Sequence, residues 1–203
     1  MRHLSSLSQD RFKMSDLYYP LNIPYEPLQS GYVYPTFNSK LPHLPKVMEN
    51  EEFLNPNLVS WFASIGVNLS RCHLFVLRGQ GKSIIHKDGQ KGGRNPVWAI
   101  NWILDGHYTH MRWYDLKPEY KGFEPIKRDA ENANNGGAGG EQYPPEVVEC
   151  IDEVLFSGPM LVRVDLPHDV INESPMDRWC VSVREGNGRP WDEIVNVMKP
   201  FMY

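Results

Sequence analysis

The sequence predicts a mostly-β fold of the sandwich or jelly-roll type, and three observations support this prediction. The chain of 203 residues contains 17 prolines and 16 glycines, which interrupt long helices. Six tryptophans and ten tyrosines make it rich in aromatic side chains, which favour strands. About eight short apolar segments follow one another between residues 71 and 186, with no long helix alternating between them.

Composition and charge are typical of a soluble protein of the cytoplasm. The net charge of −4 and the pI near 6.0 leave no basic excess, so binding to a nucleic acid is not indicated. No apolar run approaches the roughly 18 to 20 residues that a membrane span needs, and the N-terminus lacks the apolar core of a secretory signal. Three widely scattered cysteines, Cys72, Cys150 and Cys180, suggest no disulfide framework and fit a reducing compartment.

Residues 1–203 are expected to form a single domain whose N-terminal part differs from the rest. Residues 1–46 are rich in proline, tyrosine and serine, which predicts an extended arm with one or two strands. Apolar residues spaced three and four apart then predict an amphipathic helix that ends at Gly66. Asn55 and Pro56 mark either a break in this helix or a fresh start within it.

The core is expected at residues 70–186, and its strands are read from short apolar or alternating segments. The segment at 97–104, "VWAINWIL", is almost wholly apolar, which is typical of a strand buried on both faces. Residues 117–148 are dominated by asparagine, glycine, proline and charge, and they predict a long inserted surface loop that is either a lid or disordered. A short helix, "WDEIVNVMKPF", is expected near the C-terminus. The other predicted strands are 71–79, 83–89, 109–116, 147–156, 158–167, "HDVINE" and 178–186.

The segment "SIIHKDG" contains a histidine and an aspartate that could share a metal ion. His86 and Asp88 are two residues apart, so on an extended strand both side chains point the same way, while Lys87 points away. Two histidines and one carboxylate in a facial arrangement bind iron and leave coordination positions open. Taken alone, the pair is better explained as the solvated end of a strand than as a metal site.

A third ligand has to come from another strand, and the candidates near predicted strands are His73, His107, His110 and His168. His168 lies just beyond the apolar strand in "MLVRVDLPHDVIN". The alternative interpretation is a capping or turn histidine.

The strand "RWCVSVR" carries polar residues at alternating positions. Arg178, Ser182 and Arg184 fall on one face by period-two counting, and the apolar residues between them face the other way. Two arginines on one strand face suit a planar dicarboxylate, because a guanidinium pairs with a carboxylate through two parallel hydrogen bonds. The alternative is a pair of solvent-facing arginines.

Other polar and aromatic residues near these segments have two possible roles. Asn101 is the polar residue of an apolar strand, so it binds either a cosubstrate or ligand side chain, or neighbouring backbone. Trp102, Trp113 and Tyr114 either line a pocket or pack in the core.

The pattern "H-x-D … P-H-x-V-x-N … R" resembles the Fe(II)- and 2-oxoglutarate-dependent oxygenases. It is most similar to the branch of the aspartyl/asparaginyl β-hydroxylases and prolyl hydroxylase-like proteins. The segments "IIHKDG", "WAINWIL", "RWYDL", "LVRVDLPHDVIN" and "RWCVSVR" occur in the expected order, and the resemblance covers about residues 70 to 186. It implies a double-stranded β-helix, also called a jelly roll or cupin-like fold, with a few flanking helices.

The resemblance also implies a set of residue roles and cofactors. His86, Asp88 and His168 would bind Fe(II), and Arg178 would hold the far carboxylate of 2-oxoglutarate, with Arg184 as the second choice. The implied activity is that of a hydroxylase, an oxidoreductase that couples hydroxylation to the oxidative decarboxylation of 2-oxoglutarate to succinate and CO2.

Two other functions remain open at this point. One is a cupin-type metalloenzyme that does not use 2-oxoglutarate, and the other is a non-catalytic jelly-roll protein with a binding or structural role. The prime substrate also stays open among a protein side chain, a free amino acid, a nucleobase and another small metabolite. The sequence does not define the oligomeric state.

Overall fold

The fold is that of a computed structural model, which describes residues 16–34, 53–89, 95–105, 108–127, 140–185 and 188–203. Two α-helices and several short strands account for most of them. In chain order the elements are β1 (Tyr18–Pro20), α1 (Pro56–Ser64), β2 (Arg71–Leu77), β3 (His86–Asp88), β4 (Trp98–Asp105), β5 (Thr109–Leu116), β6 (Ile126–Lys127), β7 (Gly140–Gln142), β8 (Val148–Leu155), β9 (Met160–Arg163), β10 (His168–Asn172), β11 (Arg178–Arg184) and α2 (Trp191–Met198).

The strands form two antiparallel sheets that pack against each other as a jelly roll. We call the five-stranded sheet, which carries the larger hydrophobic core, the major sheet, and its order is β1-β9-β4-β11-β2. The six-stranded sheet is called the minor sheet, and its order is β6-β7-β3-β10-β5-β8. Side chains from both sheets meet between them, including Ala99 and Val162 of the major sheet and Met111 and Trp113 of the minor sheet. The mostly-β fold predicted from the sequence is therefore confirmed.

The two helices cover the opposite face of the major sheet, where the larger hydrophobic core lies. Phe62 of α1 and Ile194 of α2 are fully buried there, against residues such as Val181 of β11. Helix α1 begins at Pro56, and the side chain of Asn55 caps it by accepting from the backbone N–H of Asn57, so this dipeptide is the start of the helix. Among the helices of the described residues, none is long and apolar enough to cross a membrane.

The inserted segment 117–148 is structured wherever it is described. Two short 3-10 helices, Pro118–Tyr120 and Pro145–Val147, lie near its ends, and strands β6 and β7 extend the minor sheet. Strand β7 pairs with β3, the strand that carries His86 and Asp88. These parts are thus sheet and turn rather than a loop, while residues 128–139 lie outside the described residues.

The N-terminal arm contributes one strand to the described structure. Strand β1 pairs antiparallel with β9 at the edge of the major sheet, and the ring of Tyr18 stacks on Trp113 with 5.5 Å between centroids. The remainder of the expected arm, residues 1–15 and 35–46, lies outside the described residues. The three cysteines form no disulfide.

Candidate metal centre

Strand β3 presents His86 and Asp88 on one face and Lys87 on the other. The ammonium group of Lys87 lies 3.6 Å from Oε2 of Glu141 and 5.5 Å from the ring centroid of Tyr143, both on or beside β7. This alternation follows from the extended backbone, in which successive side chains point to opposite faces. His86 and Asp88 therefore face the inside of the jelly roll together.

His168 is the first residue of β10, and it pairs directly with His86 across the sheet. The two imidazole centroids are 4.5 Å apart. On its other side β10 pairs with β5, so that His168 lies opposite Trp113. The histidine predicted from the strand end is thus brought next to the His86–Asp88 pair.

The three side chains converge through Nε2 of each histidine and Oδ1 of the aspartate, and none of these atoms is hydrogen-bonded to a backbone group among the described residues. Nε2 of His86 lies 3.3 Å from Oδ1 of Asp88, and Nε2 of His168 lies 3.9 Å from the same oxygen. One ligand atom from each of the three residues fits within 4.8 Å of the others. The Nδ1 atoms lie 2.9 Å from backbone carbonyls, those of Ile84 and Leu166 respectively. A carbonyl only accepts, so Nδ1–H donates in each ring and Nε2 keeps its lone pair for a metal.

The protonation states at this centre suit a divalent metal. Burial alone would raise the pKa of Asp88, but Arg184 and the two neighbouring histidines hold it well below its usual value. Burial, together with a smaller contribution from His86, lowers the pKa of His168 to about 4. At neutral pH, Asp88 is therefore ionised and His168 is neutral, which are the forms that bind metal.

Arg184 lies beside the centre and is committed to Asp88. Its Nη1 donates to Oδ2 of Asp88 at 2.7 Å, and its Nη2 donates to Oγ of Ser182 at 3.2 Å. The side chain is buried. Asp88 consequently uses one oxygen for Arg184 and turns the other towards the two histidines.

Arg178 lies on the same face of β11 as Ser182 and Arg184 but has no carboxylate partner among the described residues. It is 5% exposed, and its Nε has no hydrogen-bond acceptor within the described part of the chain. The guanidinium carbon lies 5.8 Å from the ring centroid of Phe156, and burial lowers the pKa of this group. Arg178 has a side-chain hydrogen bond with Cys180 but no counter-charge among the described residues, and a buried cation in that state is unfavourable, so this position is suited to an anionic ligand.

Asn101 adds an unsatisfied polar atom on the neighbouring strand. It lies directly opposite Ser182 in the pairing of β4 with β11, so the two side chains share a face. Its Oδ1 is buried and has no donor among the described residues. Oγ1 of Thr109 is in the same state at the start of β5. The interior between the sheets thus contains several polar groups that a bound molecule could satisfy.

The three aromatic residues considered for the pocket lie in packed surroundings. Trp102 is on the helix-covered face of β4, where it contacts Phe62 edge-on. Trp113 is fully buried between the sheets, and its Nε1 donates to the carbonyl of Arg163 at 2.9 Å. Tyr114 follows a register shift in β5 and donates to Asp169 on the outer side of the minor sheet. Of the three, only Trp113 neighbours a candidate ligand, because it lies directly across the sheet from His168.

Asp169 is a residue that the sequence did not single out. It follows His168 directly, points to the opposite face of β10 and has no exposed surface. The sequence does show that Asp169 is a charged residue within a strand, next to a candidate ligand. It does not show which residues Asp169 contacts, because these are distant in the sequence.

Comparisons with known proteins bear on the fold only. No protein-family model matches the sequence, and no curated protein matches it either. The crystal structure of E. coli ycfD is 12% identical with a TM-score of 0.33, covering 59% of this chain and 26% of that one. A Trichoplax adhaerens prolyl hydroxylase in complex with a fragment of the hypoxia inducible factor oxygen degradation domain is 13% identical with a TM-score of 0.34, covering 72% of this chain and 65% of that one.

This chain therefore spans less than two thirds of the length of each of these two structures. At such low identities and TM-scores, neither similarity defines the chemistry of this chain.

Proposed function

We propose that the chain is an Fe(II)- and 2-oxoglutarate-dependent dioxygenase that hydroxylates a small metabolite or a protein side chain. The observation that carries this proposal is the combination of two sites inside one jelly roll. Three metal ligands converge at His86, Asp88 and His168, and a buried arginine without a carboxylate partner lies on the facing sheet. Either site alone would fit many proteins, whereas the two together fit a metal that works with a dicarboxylate.

The donor set fits Fe(II). Two neutral imidazoles and one carboxylate suit this ion, and three ligands leave half of an octahedron open for other molecules. The hydrogen bonds from each Nδ1–H to a backbone carbonyl fix the ring orientation, as is common for metal-binding histidines. When bound, Fe(II) with 2-oxoglutarate and dioxygen would supply the hydroxylation of a substrate C–H bond, with one oxygen atom entering the new hydroxyl, the other entering succinate, and CO2 released.

Arg178 fits the far carboxylate of 2-oxoglutarate better than Arg184 does. Arg184 already donates to Asp88 and Ser182, whereas Arg178 has its charge buried beside an aromatic ring. A guanidinium in dry surroundings gains most from a ligand that brings its own negative charge. In this proposal Arg178 binds and orients the cosubstrate, and Asn101 lies between the two arginines as a further polar contact.

The first experiment is anaerobic titration of the purified protein with Fe(II) and 2-oxoglutarate. We expect a weak visible charge-transfer band that requires both additions. His86→Ala and His168→Ala should each abolish it, because either change removes one of three ligands. His110→Ala is the matched control, since His110 contacts Glu153 and Glu173 on the outer face of the minor sheet. Retention of the band in both ligand variants would refute the metal centre.

A second measurement separates the proposed oxygenase from the other two functions. With oxygen, Fe(II) and 2-oxoglutarate, we expect succinate to form slowly even before the prime substrate is known. Saturable Fe(II) binding without any effect of 2-oxoglutarate would favour a cupin-type metalloenzyme. Absence of both metal binding and succinate would favour a binding or structural protein.

A further inference from the structure

We infer that Asp169 is a positioning residue, which holds the two histidine-bearing strands in the register that the metal centre requires. The inference rests on the proposed function, because it assigns a role towards the same three ligands. Asp169 and His168 are neighbours on β10, and they point to opposite faces of the minor sheet. Whatever fixes the carboxylate on the outer face therefore also fixes the imidazole on the inner face.

The carboxylate of Asp169 is fully buried and receives donors from both sides of its strand. Arg112 of β5 makes a two-point contact, with Nε 3.0 Å from Oδ1 and Nη2 2.8 Å from Oδ2. The hydroxyl of Tyr114, also in β5, donates to Oδ2 at 2.9 Å. From the other side, Nζ of Lys82 lies 3.2 Å from Oδ2. One carboxylate thus joins β10 to β5 and to the segment that leads into β3.

The contacts of Asp169 are most important at the junction between β10 and β3. Strand β10 pairs with β5 through five residue pairs, from His168–Trp113 to Asn172–Thr109. It pairs with β3 itself through one, His168–His86, and an isolated bridge between Lys82 and Ile171 continues the pairing in the segment before β3. Contacts from the residues before β3 supplement this pair. Ser83 exchanges hydrogen bonds with Val170, and the side chain of Lys82 reaches Asp169.

The burial of Asp169 also indicates that its contacts with Arg112 and Lys82 hold the strands together and are not an incidental surface ion pair. Asp169 has no exposed side-chain area, Arg112 has 22% and Lys82 has 47%. A fully buried carboxylate needs its donors, and removing one leaves a buried charge less well satisfied. The network therefore resists any shift of β10 relative to Lys82 or Arg112, and such a shift would change the distance between the two Nε2 atoms.

The test compares metal affinity with folding in two variants. Asp169→Asn keeps the shape and removes the charge, and Lys82→Met removes only the contact from the β3 side. Co(II) titration of the full chain, followed by its visible absorption, reports both the affinity and the geometry of the site. Thermal unfolding of the metal-free protein reports the structural contribution separately.

We expect Asp169→Asn to weaken Co(II) binding about ten- to a hundred-fold, as is typical when a group supporting a metal ligand is removed. Lys82→Met should weaken it by a smaller factor, about three- to ten-fold, and should alter the Co(II) spectrum with little change in unfolding temperature. Lys82→Arg should retain the Co(II) affinity and the Co(II) spectrum of the unaltered protein, because arginine keeps the positive charge. Lys117→Met is the control, since Lys117 donates to the carbonyl of Glu146, away from β10, and should leave the spectrum unchanged.

The outcomes distinguish this inference from the proposed function. If the unaltered protein binds Co(II) and both variants bind it with the same affinity and spectrum, Asp169 is structural only and the inference is wrong. If the unaltered protein shows no saturable Co(II) binding, the metal centre and the inference fail together. Should Asp169→Asn not fold, Lys82→Met and its arginine counterpart decide the question, because Lys82 is half exposed.

Discussion

Arg184 and Asp88 form a hydrogen-bonded ion pair of 2.7 Å between Nη1 and Oδ2 at the edge of the metal centre. The other oxygen of the same carboxylate lies 3.3 Å from Nε2 of His86. The two oxygens of Asp88 thus have separate partners, one for an arginine and one for the ligand cluster. Arg184 orients the carboxylate and lowers its pKa, so under the proposed function we assign it to metal binding and leave the cosubstrate to Arg178.

We therefore expect Arg184→Gln to weaken Fe(II) binding by about ten- to a hundred-fold. The physical reason is that Oδ2 of Asp88 loses the hydrogen bond from Arg184 that fixes the orientation of the carboxylate. Anaerobic Fe(II) competition against a chelating dye measures the change. Arg163→Gln is a suitable control, because Arg163 also pairs with an aspartate, Asp165, but does not contact the three candidate ligands. Equal Fe(II) affinity in the Arg184 and Arg163 variants would contradict the assignment.

Arg178→Met should weaken 2-oxoglutarate binding and leave Fe(II) binding intact, in contrast to Arg184→Gln. We expect the dissociation constant for 2-oxoglutarate to rise at least about thirty-fold, because a buried charge-assisted pair contributes about 2 kcal/mol or more to binding. Fe(II) affinity should stay within about two-fold of the unaltered protein, since Arg178 contacts none of the three ligands. Titration of the charge-transfer band with 2-oxoglutarate gives both values. Loss of 2-oxoglutarate binding in the Arg184 variant alone would assign the carboxylate clasp to Arg184.

The same variant gives a stability prediction of unusual sign. Arg178 is buried without a carboxylate partner among the described residues, so the ligand-free protein carries an unfavourable charge. Methionine fills a similar volume without that charge. We expect Arg178→Met to leave the free energy of unfolding unchanged or to raise it by about 1 kcal/mol. Urea denaturation of the ligand-free protein measures this, and a loss of more than about 2 kcal/mol would mean that Arg178 has a stabilising partner.

The pKa of His168 predicts how the stability of the metal-free protein depends on pH. It is about 4 in the folded chain, against an ordinary value of 6.5. Between these values the unfolded state holds a proton that the folded state does not, so the free energy of unfolding falls as the pH falls from 6.5 to 4. The full effect is on the order of 3 kcal/mol.

Comparison with His168→Gln isolates this contribution. Urea denaturation with a chelator present, at about pH 7 and about pH 4.5, should show a smaller loss of stability on acidification in the variant. Asp88 acts at lower pH, because its depressed pKa contributes stability that is lost only as the pH falls below its ordinary value of 3.8. Identical pH profiles for the two proteins would show that His168 is not buried as a neutral ring.

The parts of the fold with clear local signals follow the sequence closely. The alternation in "THMRWYDL" predicts strand β5 with the bounds that the structure has, Thr109–Leu116. Asn55 and Pro56 mark a helix start because capping chemistry is local. The face shared by Arg178 and Arg184 follows from the two-residue period of β11 alone.

The parts that depend on tertiary pairing were not predictable from local patterns. Strands β6 and β7 have only two or three residues, too few for a periodic signal, and they exist because β7 pairs with β3. The register shift in the pairing of β5 with β8, beside Trp113 and Tyr114, also has no local signal in the sequence, because it depends on both strands. Which of the two arginines reaches Asp88 was also unpredictable, because it depends on how the two sheets face each other.

The single backbone pair between His86 and His168 has a consequence for the chain as a whole. These residues are about eighty positions apart in the sequence, so an ion shared by them would act as a cross-link that closes a very long loop. Such a link would favour the folded state by mass action. Loading the centre should therefore slow proteolysis between β2 and β4, because the metal would join β3 to β10 where only one residue pair links these two strands.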